Sequence, residues 1–245
     1  MHFLPFALLA TTALPAAALS CRQAPLYPPH SLSTSFRLIA NVTSPSPALA
    51  INDYVLASYH LAPSLGAAVL VPPTTPTKGR QFYLNGTAQE VRDRRASIAT
   101  YGGTPVSPPL PSLFPPDRPR LTAQPFPNGL ILSAQPEPGT AAPHDVHINA
   151  GHGTAGVQLA PLPAPLPVLT GPDMGHYYAC NNTGLPYGAA VALYYGYEGE
   201  ETPEGCVDVA LLPQCSEGDG VEKEWENVVV CYESVAGIDW SVYSA

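Results

Sequence analysis

Ser35-Phe-Arg-Leu-Ile-Ala-Asn-Val-Thr43 alternates with a period of two: Phe36, Leu38, Ala40 and Val42 fall on one face, Arg37, Asn41 and Thr43 on the other. Successive side chains of a strand point to opposite faces, so this is the pattern of a strand with one side against a core. Short runs of similar character, bounded by Pro, Gly or Asn, recur at 54–61, 67–71, 81–84, 129–133, 146–150, 155–160, 176–180, 190–195, 206–212 and 228–232. Gln81-Phe-Tyr-Leu84 runs into Asn85-Gly86, the strongest two-residue hairpin signal, and 87–91 is expected to return as the partner strand. Helix-length periodicity is scarce. The sequence therefore predicts an all-β fold, an antiparallel β-sandwich or partly closed barrel.

Proline marks the interruptions. Of 31 Pro in 245 residues, twelve fall between Thr104 and Pro143 and five between Pro161 and Pro172. Each lacks the donor a ladder needs, so both stretches are expected to be long surface loops in extended geometry. Neither flank of the first stretch has enough strands to close alone. Residues 21–245 are accordingly read as a single β-sandwich domain, with 104–143 a Pro-rich loop or insertion and 216–245 an acidic C-terminal extension.

Only 12% of the residues are charged, and the net charge is −9. Residues 21–140 hold nine Lys/Arg against five Asp/Glu, whereas 141–245 hold one Lys against fourteen acids, giving +4 and −13. An acidic balance opposes nucleic-acid binding, which demands clustered Lys and Arg. Eleven acids lie between Glu198 and Glu233, without the ligand spacing of a calcium-binding helix-loop-helix.

Residues 3–18 form an apolar run without acid or base, followed by Ala16-Ala17-Ala18-Leu19-Ser20, which reads as a secretory signal peptide over 1–20, cleaved between Ala18 and Cys21. No later segment offers about 20 apolar residues for a membrane span. A secreted, extracellular protein is expected. Asn41, Asn85 and Asn181 each open a glycosylation triplet, consistent with export. Cys180, Cys206, Cys215 and Cys231 are the disulfide candidates, with three connectivities open, and Cys21 is the odd one. No Cys-x-x-Cys pair supports a metal site.

His144-Asp-Val-His147-Ile-Asn149 is the segment most suggestive of chemistry. Residues three apart on a strand face opposite ways, so His144 and His147 do not share a metal. If Val146 and Ile148 face inward, Asp145, His147 and Asn149 make a polar row that either meets water as a solvated strand face or binds sugar hydroxyls. Gly151-His-Gly153-Thr-Ala-Gly156 matches a dinucleotide pattern, but no helix follows to receive a phosphate, so it is read as a hairpin turn and no cofactor is expected. Tyr177, Tyr178, Tyr194, Tyr195 and Tyr197 concentrate beside Cys180. An aromatic strand pair usually packs across strands, but an exposed tyrosine row also stacks on sugar rings, so Tyr177 and Tyr195, with His147 and Asn149, are the binding candidates. No Gly-x-Ser-x-Gly or His-Glu-x-x-His is present, and no catalytic residue is assigned.

Ser35–Ala40, Phe82-Tyr-Leu-Asn-Gly86, Val146–Val157, Tyr177-Tyr-Ala-Cys180 and Cys206–Cys215 together resemble a group of uncharacterised secreted proteins of filamentous ascomycete fungi, over roughly residues 34–216. The resemblance implies a fungal source, an extracellular address and a β-rich domain without assigned activity. The long Pro-rich stretch departs from that group's more compact pattern. The sequence points to a non-catalytic cell-surface, cell-wall or host-facing binding protein, with wall carbohydrate or a host protein as partner. A hydrolase with an unrecognised carboxylate pair and an effector directed at a host protein are the rivals.

Overall fold

The period-two runs become strands, in the order β1 (His30–Ser33), β2 (Phe36–Val42), β3 (Val55–Ala62), β4 (Leu65–Val71), β5 (Tyr83–Asn85), α1 (Ala88–Arg92), β6 (Ser97–Tyr101), β7 (Pro127–Leu132), β8 (Val146–Ala150), β9 (Gln158–Leu159), β10 (Leu169–Thr170), β11 (His176–Asn182), β12 (Ala190–Gly196), β13 (Val207–Cys215), β14 (Glu226–Asn227) and β15 (Val229–Tyr232). The computed structural model describes residues 28–44, 48–74, 79–101, 127–134, 144–160, 166–218, 225–236, 238–240 and 243. The expected leader, Cys21 and most of 104–143 lie outside them.

The fold is all-β. Six strands close a circuit of pairings, β2–β3–β4–β12–β11–β13 and back to β2. From β4 the sheet continues through β8, β7, β6 and β5 to β14, and a bridge between Phe36 and Phe82 returns this arm to β2. Pairing is antiparallel throughout the large sheet except between β13 and β15, which run parallel. A separate two-stranded sheet joins β9 to β10.

Phe36, Leu38 and Ala40 are buried in the main core, as their alternation demands, and burying a Phe or Leu is worth roughly 1.5–3 kcal/mol. Ile39, on the opposite face, is buried too, packed with Val55, Leu212, Tyr232 and Val235. β2 is thus covered on both sides because the C-terminal segment folds over its outer face. Residues 226–232, within the stretch expected to be an extension, are paired into the sheet as β14 and β15.

Two local expectations are corrected. Asn85-Gly86 does not make a two-residue hairpin, and 88–92 is helical rather than a returning strand. Thr87 is an N-cap: its hydroxyl accepts the Glu90 amide while Glu90 accepts the Thr87 amide, a reciprocal capping box that outweighs the turn signal. Likewise 151–156 is no hairpin, since β9 pairs with β10 and not with β8. β13 also runs through Pro213, where the missing donor is tolerated because β11 pairs with the strand only at Val207 and Asp208 and β15 only at Gln214.

Two disulfides join Cys180 to Cys206 and Cys215 to Cys231. Their separations of 26 and 16 residues make each worth about 3 kcal/mol by loop-closure entropy. The second closes the loop that leads from β13 through β14 to β15.

Candidate functional site

A cleft of about 370 Å³ lies between α1, the β5–β6 edge, the 152–155 segment and Trp225. Its polar wall is made by Asn85, Glu90, Arg95, Ser97 and His152. Asn85 closes β5 and Ser97 opens β6, and both are 6% exposed. The capping box fixes α1, whose first turn brings Glu90 to the wall.

His152 is delivered by an unusually close crossing. A Cβ on Gly153 would stand 2.7 Å from the Ile98 carbonyl oxygen and 2.9 Å from that of Leu130, and one on Gly129 would stand 2.1 Å from the Gly153 nitrogen. Only paired glycines let the segment press onto β6 and β7. Thr154 then ties it down: its amide donates to the Leu130 carbonyl at 2.9 Å, and its hydroxyl accepts the Leu132 amide at 2.9 Å. The His152 Nδ1 comes to 3.4 Å from the Asn85 amide nitrogen.

Trp225 forms the rim and is 46% exposed. Its carbonyl accepts the Gly86 amide at 3.1 Å. The Asn227 side-chain amide donates to the carbonyls of Gly86 at 2.7 Å and Trp225 at 3.0 Å, which fastens the rim to the β5 end. Glu90 is held below the usual carboxylate range, first by the Thr87 backbone amide, then by its hydroxyl, with Arg95 and His152 adding smaller positive influence. The wall therefore offers an ionised carboxylate, a guanidinium, an amide, a hydroxyl and an imidazole beside an open indole. Such a set can hydrogen-bond a polyhydroxylated ligand and stack on its ring.

The four binding candidates expected from the sequence do not form one surface. Tyr177 and Tyr195 are buried in the main core, their rings edge-to-face at 5.0 Å, and the Tyr195 hydroxyl donates to Asp173. The platform expected there is corrected to core packing: the alternation of β11 and β12 turns these rings inward. His147 and Asn149 sit on the opposite face of β8 from the buried Val146 and Ile148, and the Asn149 side-chain Oδ1 accepts the Gly66 amide at 2.9 Å. His144 is buried, with its Nε2 3.0 Å from Glu200. Sequence reasoning missed Glu90, Arg95 and Trp225. The Thr87-x-x-Glu90 pattern signals the helix, but nothing in the sequence brings Trp225 to it.

Of the glycosylation candidates, Asn181 is exposed, Asn41 is half-buried and Asn85 faces the cleft. Among the described residues no helix is long and apolar enough to cross a membrane.

Fold and disulfides thus define a cross-linked β-rich scaffold with a polar cleft at one edge. The chain belongs to the family described as domain of unknown function DUF7907, which matches residues 33–215. It is similar to the antigenic protein SchS34 of the fungus Stachybotrys chartarum, 30% identical over 237 residues, covering 89% of this chain and 95% of that protein. No solved structure matches it. The family match ends at Cys215, so the Trp225 rim is contributed from beyond the matched segment.

Proposed function

We propose that the protein is a secreted fungal glycoprotein that acts by binding, not by catalysis, and that its cleft holds a carbohydrate of a cell wall or cell surface. The observation that carries this reading is the half-exposed Trp225 at the rim of a cleft lined by Asn85, Ser97, Arg95 and His152. Binding is favoured over acid catalysis by Glu90, the one carboxylate among the described lining residues: it is engaged by Thr87 and kept ionised, whereas a general acid needs raised proton affinity. Two disulfides and the likeness to an antigenic fungal protein support an extracellular, surface-facing role. A protein-binding effector would call for a contiguous apolar patch. Among the described residues the exposed large apolar side chains, Leu32, Leu65, Met174, Tyr187, Trp225 and Val228, fall on β1, on β4, in the loops before β11 and before β12, and on either side of β14.

The test is retention on immobilised fungal and plant wall polymers, with Trp fluorescence as the solution readout. Trp240 packs edge-to-face on Tyr232, so a ligand-dependent change reports on Trp225. Retention by the wild type and loss in Trp225→Ala, with the fold intact by circular dichroism, is the expected result. Absence of retention on every polymer would remove the reading.

A further inference from the structure

A second cavity, of about 180 Å³, opens beside the β3–β4 hairpin. Ser58 and His60 of β3, Ser64 of the hairpin turn, Arg80, and Asn128 of β7 supply its polar wall, and it shares no lining residue with the His152 cleft. Gly66 keeps it open, since a Cβ there would stand 2.4 Å from the Ser58 hydroxyl. The Gly66 amide is already taken by Asn149.

Arg80 is the group that needs an explanation. It is half-buried, and its guanidinium donates from Nη1 to the Tyr101 carbonyl at 3.2 Å. Among the described residues it makes no ion pair. Burial lowers its proton affinity. A guanidinium nevertheless stays charged and carries five donors in a planar fork suited to two oxygens of one anion. Charges withdrawn from water are found paired, because the lost hydration must be replaced. Hydroxyl and amide groups from Ser58, Ser64 and Asn128 surround the cavity, and no carboxylate among the described residues lines it.

The surroundings agree in sign and shape. Apart from Ile148, the cavity's lining is drawn from residues 21–140, which carry +4, although the whole chain is acidic. His60 stacks on Tyr187 with ring centroids 6.3 Å apart and planes 18° apart, and Tyr187 is 71% exposed. A flat aromatic face therefore adjoins the polar wall.

We propose that this cavity is an oxyanion site, in which Arg80 receives the carboxylate, sulfate or phosphate group of a small ligand while the serine hydroxyls and Asn128 complete its hydrogen bonds. The site does not depend on the carbohydrate reading of the cleft.

The experiment is a titration of the isotopically labelled, disulfide-bonded protein, followed by the NMR signals of the Arg80 side chain and the Gly66 and Tyr101 amides. Sodium sulfate, inorganic phosphate and galacturonate are the probes, with galactose and chloride as controls. Saturable shifts with the oxyanions and none with the controls are expected, with affinity at least about tenfold weaker in Arg80→Gln. Tighter binding of galacturonate assigns the site to a sugar acid, and tighter binding of sulfate or phosphate assigns it to an ester or the free ion. If Arg80→Gln loses its dispersed spectrum, Ser64→Ala and His60→Ala replace it, each expected to weaken binding severalfold. The proposal is overturned if no oxyanion gives a saturable shift, if galactose or chloride binds equally, or if the ligand-free protein already pairs Arg80 with one of its own carboxylates. Sulfate shifts that survive Trp225→Ala separate this site from the cleft.

Discussion

Replacing Gly153 with Ala probes how the cleft is built. The added methyl would meet the Ile98 oxygen at 2.7 Å, the Leu130 oxygen at 2.9 Å and the Ser97 Cβ at 3.1 Å. Two of the three are backbone atoms of β6 and β7 within the core, and they cannot swing aside as a side-chain tip would. An unstrained carbon–oxygen approach is about 3.3–3.6 Å, so the 151–156 segment must retreat by roughly half an ångström or the strands must part. Overpacking of this kind costs about 1–3 kcal/mol. At about 2 kcal/mol, a chain of this size should lose roughly 4–8 °C in Tm. His152 retreats with the segment, its contact with Asn85 at 3.4 Å is broken, and polymer retention falls. Gly129→Ala enters the same contact from the other side. Once one substitution has parted the two segments, the second meets less resistance, so the double variant should lose less stability than the two singles summed. Calorimetry of the three variants with a retention assay is the measurement. A Gly153→Ala protein melting within about 1 °C of wild type with retention unchanged would refute the reasoning, as would strict additivity.

Three further outcomes follow from the same structure. Glu90 has its folded pKa below its ordinary value of 4.5, so its ionised form contributes stability that is present above the unfolded value and lost as pH falls through the folded one. Glu90→Gln should give a shallower decline of Tm below pH 4.5, and an unchanged acid limb would contradict the capping role. Removing Cys215–Cys231 by paired Ser substitution should cost about 3 kcal/mol and also reduce retention, because the loop it closes carries Trp225, whereas removing Cys180–Cys206 should lower denaturant stability alone. Intact-mass analysis should show a glycan lost in Asn181→Gln and no glycan mass lost in Asn85→Gln, since Asn85 is 6% exposed with its amide nitrogen turned to His152. A sugar found on Asn85 would rule out the cleft geometry.

The strands were legible where the signal is local. β2, β3, β4, β8, β11, β12, β13 and β15 all fall on period-two or short apolar runs bounded by breakers, because alternation is a property of neighbouring residues. The Asn85-Gly86 turn failed for the same reason in reverse: two local signals compete over 85–90, and the Thr87–Glu90 capping box, which satisfies two backbone donors reciprocally, starts α1 there. β1, β6, β10 and β14 were not read from the sequence: β10 and β14 are two residues long, and β1 and β14 are held by β15 and β5 from distant parts of the chain. Tyr177 and Tyr195 looked like a platform because composition tells nothing of which face of a strand is covered.

By itself, the amino-acid order determined that this is a β-rich chain broken by proline, with four cysteines clustered late and an apolar N-terminal run. Only the tertiary structure decided which cysteines join, that β2 is buried on both faces, and that Asn85, His152 and Trp225 meet. Those contacts span 67 residues in the case of Asn85 and His152, and 139 between Gly86 and Trp225, counted from their numbers. Alternation within a strand says which side seeks burial. Which distant segment provides it depends on a closed circuit of pairings that every strand must satisfy at once.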